Sequence, residues 1–294
     1  MNRRPRYWFR LLRFAAALAL NMERQWFIWL FVIADAYLVM TLLSAQRPFW
    51  FDELFTLYMT RLPDMATVWA ALKGGADLNP PLFYAATKLF HNLSGGKEWA
   101  IRVPAIIGFL VMMFGLYRYI LRYGSRLAGM VAMTFPLVTG AFYYSSEGRA
   151  YGMEFGFIAV AAVCWQAATR GEWRLYNLAG LTLCLAGALL SHCYAVLAVA
   201  PFGLAEAVRT LQRKRIDWPV WAALAVPCLS VLSYLPMMAA VTGGDPFDNP
   251  VYFTTARAAY ELILGAAWWP LVFALSVLVL FGRGWRRKDG FAGT

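Results

Sequence analysis

The chain has 294 residues, of which 61% are hydrophobic and only 15% are charged, and its formal net charge is +11. Soluble domains carry about 45–50% apolar and about 25% charged residues, so this composition excludes an ordinary soluble protein. The basic residues separate apolar blocks instead of clustering in one polar region. This arrangement argues against nucleic-acid binding and is typical of the positive-inside pattern of membrane proteins.

The first 25 residues predict a basic amphipathic helix that lies on the cytoplasmic membrane surface. Arginines at helical spacing precede an apolar run from Phe14 to Leu20. A cleaved signal peptide is the alternative. That run is at the short limit for a signal peptide, and a longer apolar block follows at once, so the surface helix is favoured.

Apolar blocks between residues 26 and 281 predict an all-α, polytopic membrane bundle, because each can cross a hydrocarbon core of roughly 30 Å. The block 175–208 is too long for one ordinary span. Its polar break at Ser191-His192-Cys193 predicts two helices that turn at His192. About eight transmembrane helices are therefore predicted, at 26–45, 103–121, 127–144, 152–168, the two halves of 175–208, 218–240 and 260–281.

The distribution of charge predicts which segments face the cytoplasm. With the N-terminus inside, the turn at His192 places the basic cluster 209–215 on the same side as most of the 27 Lys and Arg residues. A single helix across 175–208 would put that cluster on the opposite side. Both termini are therefore predicted to be cytoplasmic, with a basic tail at 282–294, and most acidic residues fall on the outer side.

The largest outer segment, residues 46–102, is predicted to contain short helices. Pro63, Pro80 and Pro81, together with two Gly-Gly pairs, divide it. The stretch from Leu82 to Phe90 has its apolar residues on one helical face. We therefore expect it to lie along the outer interface and not to cross the bilayer.

Two adjacent carboxylates, Asp52 and Glu53, follow the first span within an aromatic-rich segment. Partial desolvation there would raise a carboxylate pKa toward the range that suits a general base. The same pair also fits the first turn of a helix, where the helix dipole favours acids. Residues alone leave both interpretations open.

A second polar cluster is predicted at a short outer loop that contains Glu147, Arg149 and Tyr151. The planar fork of Arg149 could hold a phosphate, or Arg149 could snorkel and pair with its own Glu147. At the outer turn, His192 could be a metal ligand, a phosphate donor, a proton shuttle or none of these.

Asp35 lies in the middle of the first predicted span. An ionisable residue at that depth is costly, and it marks a functional site or a paired residue. We expect Asp35 to pair or pack within the bundle and not to take part in catalysis.

Five segments, in chain order, resemble the GT-C type membrane glycosyltransferases, in the group of protein O-mannosyltransferases and lipid A aminoarabinose transferases. They are Trp50-Phe-Asp52-Glu53, Asn79-Pro-Pro-Leu-Phe-Tyr84, Arg102-Val-Pro-Ala-Ile-Ile-Gly108, Tyr144-Ser-Ser-Glu147-Gly-Arg149-Ala-Tyr151 and Ser191-His192-Cys-Tyr194. Together they span about half of the chain. Two departures stand out: many relatives carry His where this chain has Asn79, and relatives are usually longer.

The resemblance implies inverting transfer of a sugar from a polyprenyl-phosphate donor to a lipid, glycan or protein hydroxyl on the outer face of a bacterial plasma membrane. It implies that Asp52, with Glu53 beside it, is the catalytic acidic residue. The implied donor or phosphate site consists of Arg149, Arg102, Glu147, Tyr151 and His192, and a divalent metal ion, if one takes part, would be held by Glu147 and His192.

The alternative is a non-enzymatic membrane protein, either a lipid-linked sugar transporter or flippase or a partner subunit, including an inactive homologue. A transporter is expected to carry polar groups at mid-membrane and an internal repeat, and the lack of a visible repeat here favours an enzyme.

Overall fold

The computed structural model describes residues 4–77 and 79–242, and this part of the chain is helical and contains no strand. The α-helices are α1 (Arg4–Arg24), α2 (Trp26–Ser44), α3 (Phe51–Arg61), α4 (Met65–Lys73), α5 (Pro81–Leu93), α6 (Val103–Leu121), α7 (Arg126–Thr134), α8 (Tyr151–Thr169), α9 (Arg174–Ser191), α10 (Val196–Arg213), α11 (Trp218–Ala225) and α12 (Leu235–Thr242). Short 3-10 segments occupy Glu98–Arg102, Phe135–Val138, Gly140–Ser145, Cys193–Ala195 and Val226–Tyr234.

Six helical segments of the described residues are long and apolar enough to cross a membrane. They are Trp26–Ser44, Glu98–Leu121, Tyr151–Thr169, Arg174–Ser191, Cys193–Arg213 and Trp218–Ala240. The predicted all-α, polytopic membrane fold is thereby confirmed. The predicted surface helix at residues 1–25 corresponds to α1, although its position relative to a membrane stays a prediction.

The predicted span at 127–144 is not one continuous α-helix. The α-helical part ends at Thr134. Two 3-10 segments follow it, of which the first contains Pro136 and the second begins at Gly140. Proline cannot donate the backbone hydrogen bond that an α-helix needs, which accounts for the break. The predicted eighth span, 260–281, and the predicted tail, 282–294, lie outside the described residues.

Backbone contacts divide the chain into two compact units. The larger one includes the described residues up to Thr134 and from Tyr143 to Thr242, and the other includes Phe135–Phe142. Within this second segment the Thr139 hydroxyl donates to the Pro136 carbonyl at 3.0 Å.

The predicted turn at His192 is confirmed. Helix α9 ends at Ser191, His192 has extended backbone (φ −147°, ψ 132°), and α10 follows one 3-10 turn. At the far end of the hairpin, Arg174 from the start of α9 and Arg209 from the last turns of α10 both bind Asp217. The basic cluster 209–215, at the end of α10, therefore lies at the same end as the start of α9, as the charge pattern predicted.

Helices α6 and α8 pack closely because glycines line their contact. A Cβ added to Gly152 would lie 2.5 Å from the Ala105 carbonyl oxygen, and one added to Gly156 would lie 2.6 Å from that of Gly108. Gly152 and Gly156 are one helical turn apart, and such small residues let transmembrane backbones approach each other. This contact fixes the start of α6 beside the loop that precedes α8.

Asp35 does not pack as the sequence predicted. The buried residues of α2 are Leu30, Ile33, Tyr37 and Thr41, which share one helical face. Asp35 lies off that face and is exposed, and it makes no hydrogen bond or ion pair with any described residue. The expected pairing within the bundle is therefore not found in residues 4–77 and 79–242.

Candidate active site

The sequence-predicted site residues meet at one end of the larger unit. The Ser44 and Ser146 hydroxyls, at the end of α2 and in the loop before α8, lie 3.0 Å apart in a hydrogen bond. The Gly148 N–H donates to the Glu53 carboxylate at 2.7 Å, which joins that loop to α3. His192 reaches the same place because α9 ends there, beside the first turn of α8. Residues far apart in sequence thus share one location.

Glu53 and Arg102 form a buried ion pair beneath this site. The two Glu53 oxygens accept from Arg102 Nε at 2.7 Å and from Nη2 at 2.8 Å, and the side chains are 0% and 2% exposed. Arg102 also donates to the carbonyls of Ala45 and of Arg47, the latter at 3.0 Å, and its guanidinium stacks over Phe49. Their polar atoms are thus engaged with each other and with backbone, and the catalytic role of Glu53 and the donor-binding role of Arg102 that the resemblance implied stay predictions.

Asp52 is the carboxylate that remains accessible. Its side chain is half-buried and accepts no hydrogen bond from any described residue. Its backbone carbonyl lies 3.5 Å from both Arg149 Nη1 and the Thr56 hydroxyl, so the first turn of α3 is held in place. Buried Glu53 thus fixes the helix, and the adjacent Asp52 carboxylate is left available.

Arg149 pairs with Asp77, not with Glu147 as one sequence interpretation had it. Arg149 Nη1 lies 2.6 Å and Nη2 3.4 Å from the two Asp77 oxygens, and both side chains are 11% exposed. Asp77 also accepts from the Tyr84 hydroxyl and from Asn79 Nδ2 at 3.3 Å. Burial alone would lower the pKa of the Arg149 guanidinium, but the Asp77 carboxylate raises it above its ordinary value. Sequence reasoning missed Asp77, whose only signal was its position two residues before Asn79.

Glu147 is buried with an unsatisfied oxygen. Its Oε2 has no hydrogen-bond partner among the described residues. Burial, and then the negative charge of Glu53, raise the pKa of this carboxyl to about 7, although Arg149 and Arg47 oppose the shift. The Arg47 guanidinium lies 4.4 Å from the centre of the Tyr143 ring. No local sequence pattern marks Arg47, which becomes notable only because the chain folds it toward Glu147.

His192 is buried against the start of α8. Its Nδ1 lies 3.3 Å from Glu154 Oε2, but the contact lacks hydrogen-bond geometry. Its ring packs on Tyr151 with the centres 4.9 Å apart. Burial, and then the positive charge of Arg149, lower the pKa of His192 to about 4, so the imidazole is neutral at pH 7. Glu154 is a further residue that sequence reasoning missed, although an ionisable residue inside the predicted span 152–168 was itself a signal of a functional or paired residue.

The described residues do not assemble a metal-ligand set. No three His, Cys, Asp or Glu side chains within residues 4–77 and 79–242 are placed to share one ion. Glu147 and His192, which the resemblance implied as ligands, are thus not joined by a third such side chain. A divalent metal ion held by Glu147 and His192 therefore stays a prediction.

An apolar groove of about 280 Å³ runs between α5, α6, α8 and α9. Pro104 and Met153 lie at its end nearest the site, each two residues from a predicted site residue, Arg102 and Tyr151 respectively. Phe90, Val111, Phe157 and Val160 continue it along the helices. An apolar chain attached to a group at the polar site could lie in this groove.

Comparison with known proteins identifies a family whose model matches this chain. The model of the dolichyl-phosphate-mannose-protein mannosyltransferase family matches residues 78–235, which is more than half of the chain. The matched range includes Arg102, Glu147, Arg149, Tyr151 and His192. Comparisons with curated proteins and with solved structures found no match.

Proposed function

Since this chain belongs to the dolichyl-phosphate-mannose-protein mannosyltransferase family and is a membrane glycosyltransferase of the GT-C type, we propose that it moves a sugar from a polyprenyl-phosphate donor to an acceptor hydroxyl outside the cytoplasm, with inversion. The observation that carries this proposal is the accessible Asp52 carboxylate at the end of the bundle that also holds the Asp77–Arg149 pair. The acceptor class is a lipid, a glycan or a protein.

Asp52 acts as the general base in this reaction. Its carboxylate takes the proton of the attacking hydroxyl as the new bond forms between that oxygen and the anomeric carbon. On the opposite face of the sugar, the bond from the anomeric carbon to the phosphate oxygen breaks, and polyprenyl phosphate leaves. Glu53 supports the base indirectly, because its ion pair with Arg102 fixes the first turn of α3.

Arg149 stabilises the charge that grows on the departing phosphate. Its Nε is buried and has no hydrogen-bond partner among the described residues, so one donor of the fork is still unused. Asp77 holds the fork in place and keeps it charged. A preoriented donor of this kind favours the transition state because it needs no rearrangement as charge develops. His192, neutral at pH 7, can exchange a hydrogen bond with the sugar or the phosphate.

The polyprenyl chain occupies the apolar groove between α5, α6, α8 and α9. This position lets the lipid remain among helices while its phosphate reaches the polar end. We further propose that the site end faces away from the cytoplasm of a bacterial plasma membrane. The basic residues Arg174, Arg209 and Arg213 support this orientation because they lie at the opposite end.

Transfer of label from polyprenyl-phosphate [³H]mannose to extracted membrane lipids and proteins, resolved by thin-layer chromatography, tests the function in proteoliposomes. We expect Asp52→Asn to reduce transfer by about 10²–10⁴-fold, the usual contribution of a general base. Glu98→Gln is the matched control, since this exposed acid pairs with Arg61 at the surface of the same segment. Unchanged transfer by a folded Asp52→Asn protein would remove its role. Intact donor that crosses the bilayer without transfer would favour the flippase alternative.

A further inference from the structure

A second cavity lies at the opposite end of the helices from the candidate active site. It has a volume of about 520 Å³ and forms where α9 begins, α10 ends and α11 begins. Its lining residues are Arg174, Arg213, Arg215, Ile216, Asp217, Trp218 and Pro219. Helix α9, with 18 residues, separates this cavity from His192 by about 27 Å. The two sites are therefore distinct.

The cavity carries an excess of positive charge. Asp217, the acid in its lining, already binds Arg174 and Arg209, and Arg213 Nη1 lies 3.8 Å from it. Arg215 adds a further cation. Arg209 also pairs with Glu206, and its Nη1 is still buried without a hydrogen-bond partner among the described residues. The cavity lining itself has three arginines and one acid, so an anion would meet a net positive charge here.

An apolar groove of about 270 Å³ adjoins the basic cavity. The groove and the cavity share Pro219, and Leu175, next to Arg174, begins the groove on α9. It continues between α9 and α11 past Leu178, Ala179, Ala222 and Val226. A ligand that fits both parts needs an anionic head and an apolar tail.

We propose that the cavity and this groove bind an anionic phospholipid. Its phosphate contacts Arg174, Arg213 and Arg215, and one acyl chain lies along the groove between α9 and α11. A soluble anion would use only the cavity, whereas the adjoining groove matches a lipid. Basic pockets between transmembrane helices on the cytoplasmic side commonly hold anionic headgroups, and the charge pattern predicts that side for this end of the bundle.

Native mass spectrometry of the full chain in detergent tests this site with phosphatidylglycerol and with phosphatidylcholine of the same acyl chains. The Arg213→Gln/Arg215→Gln double variant removes two cations that are exposed, so folding should be kept. We expect its affinity for phosphatidylglycerol to fall about fivefold for each arginine removed, with no change for phosphatidylcholine. Arg118→Gln is the control. Arg118 is an exposed cation in the last turn of α6, and it does not line the cavity.

A second pair of variants tests the groove. Ala222→Trp fills it from an exposed position, and Ala225→Trp adds the same side chain to α11 outside it. We expect only Ala222→Trp to weaken phosphatidylglycerol binding.

Equal lipid binding by Arg118→Gln and the double arginine variant would overturn the proposal. So would displacement of the lipid by an equimolar amount of inorganic phosphate, because the ligand would then be a soluble anion.

Discussion

Replacement of Glu53 by Gln tests whether this residue positions the site or takes part in the chemistry. Glu53 is fully buried and accepts from Arg102 Nε, Arg102 Nη2 and the Gly148 N–H. Gln keeps the shape but loses the charge, and its NH₂ group would face a donor where a carboxylate oxygen had been. The Arg102 guanidinium would remain buried without its counter-ion. Removal of one partner from a buried ion pair destabilises proteins by about 3–5 kcal/mol.

We therefore expect Glu53→Gln to lower the free energy of unfolding by about 3–5 kcal/mol. An SDS titration of the purified protein in mixed micelles measures this quantity. Transfer should fall as well, because the first turn of α3, which carries Asp52, would lose its anchor. Asp52→Asn should show the reverse pattern, with transfer lost and stability kept, since the Asp52 carboxylate accepts no hydrogen bond from the described residues.

Two variants complete the comparison. Glu98→Gln breaks an ion pair whose side chains are 45% and 53% exposed, so its effect on stability should stay below about 1 kcal/mol. Glu53→Met combined with Arg102→Met removes both buried charges and should recover part of the stability, although the carbonyls of Ala45 and Arg47 would lose their donor. A Glu53→Gln protein that unfolds like the wild type, yet transfers as poorly as Asp52→Asn, would refute the positioning role.

Three further predictions concern the site and the helix contact beneath it. Because the pKa of Glu147 is raised to about 7 in the folded protein, its ionisation should reduce the stability of the protein as pH rises from about 4.5 to 7. Glu147→Gln should remove this loss of stability when thermal unfolding is compared at pH 5 and pH 8, and a pH dependence like that of the wild type would contradict the prediction. Gly152→Ala should prevent the close approach of α6 and α8 and lower the yield of folded protein, as measured by size-exclusion chromatography. Gly203→Ala is the control, because its added Cβ meets no atom within 4 Å, and equal yields of the two variants would contradict the packing argument. Asp77→Asn should raise the KM for the donor about 10–100-fold through loss of the Arg149 partner, and an unaltered KM would exclude Asp77 from donor binding.

Part of this site could be predicted from sequence because its signals are local. The polar break at His192 in a long apolar block, together with the basic cluster after it, predicted a hairpin, and the chain turns there. The same reasoning was misled at 127–144, where hydropathy is continuous but Pro136 interrupts the α-helix. Apolar composition reports whether a segment can enter a membrane and does not report whether its backbone stays helical.

The sequence by itself determined the membrane class, the likeness to a family of glycosyltransferases and the segments from which a site would come. Only the tertiary structure decided which partner each charged group takes. Asp52 and Glu53 are neighbours in sequence, yet one is accessible and the other is buried, because Arg102 meets α3 on only one of its faces. Arg149 likewise binds Asp77, 72 positions away, and not the nearby Glu147. Successive residues of a helix point about 100° apart, so packing selects the face that is buried, and no local pattern encodes that choice.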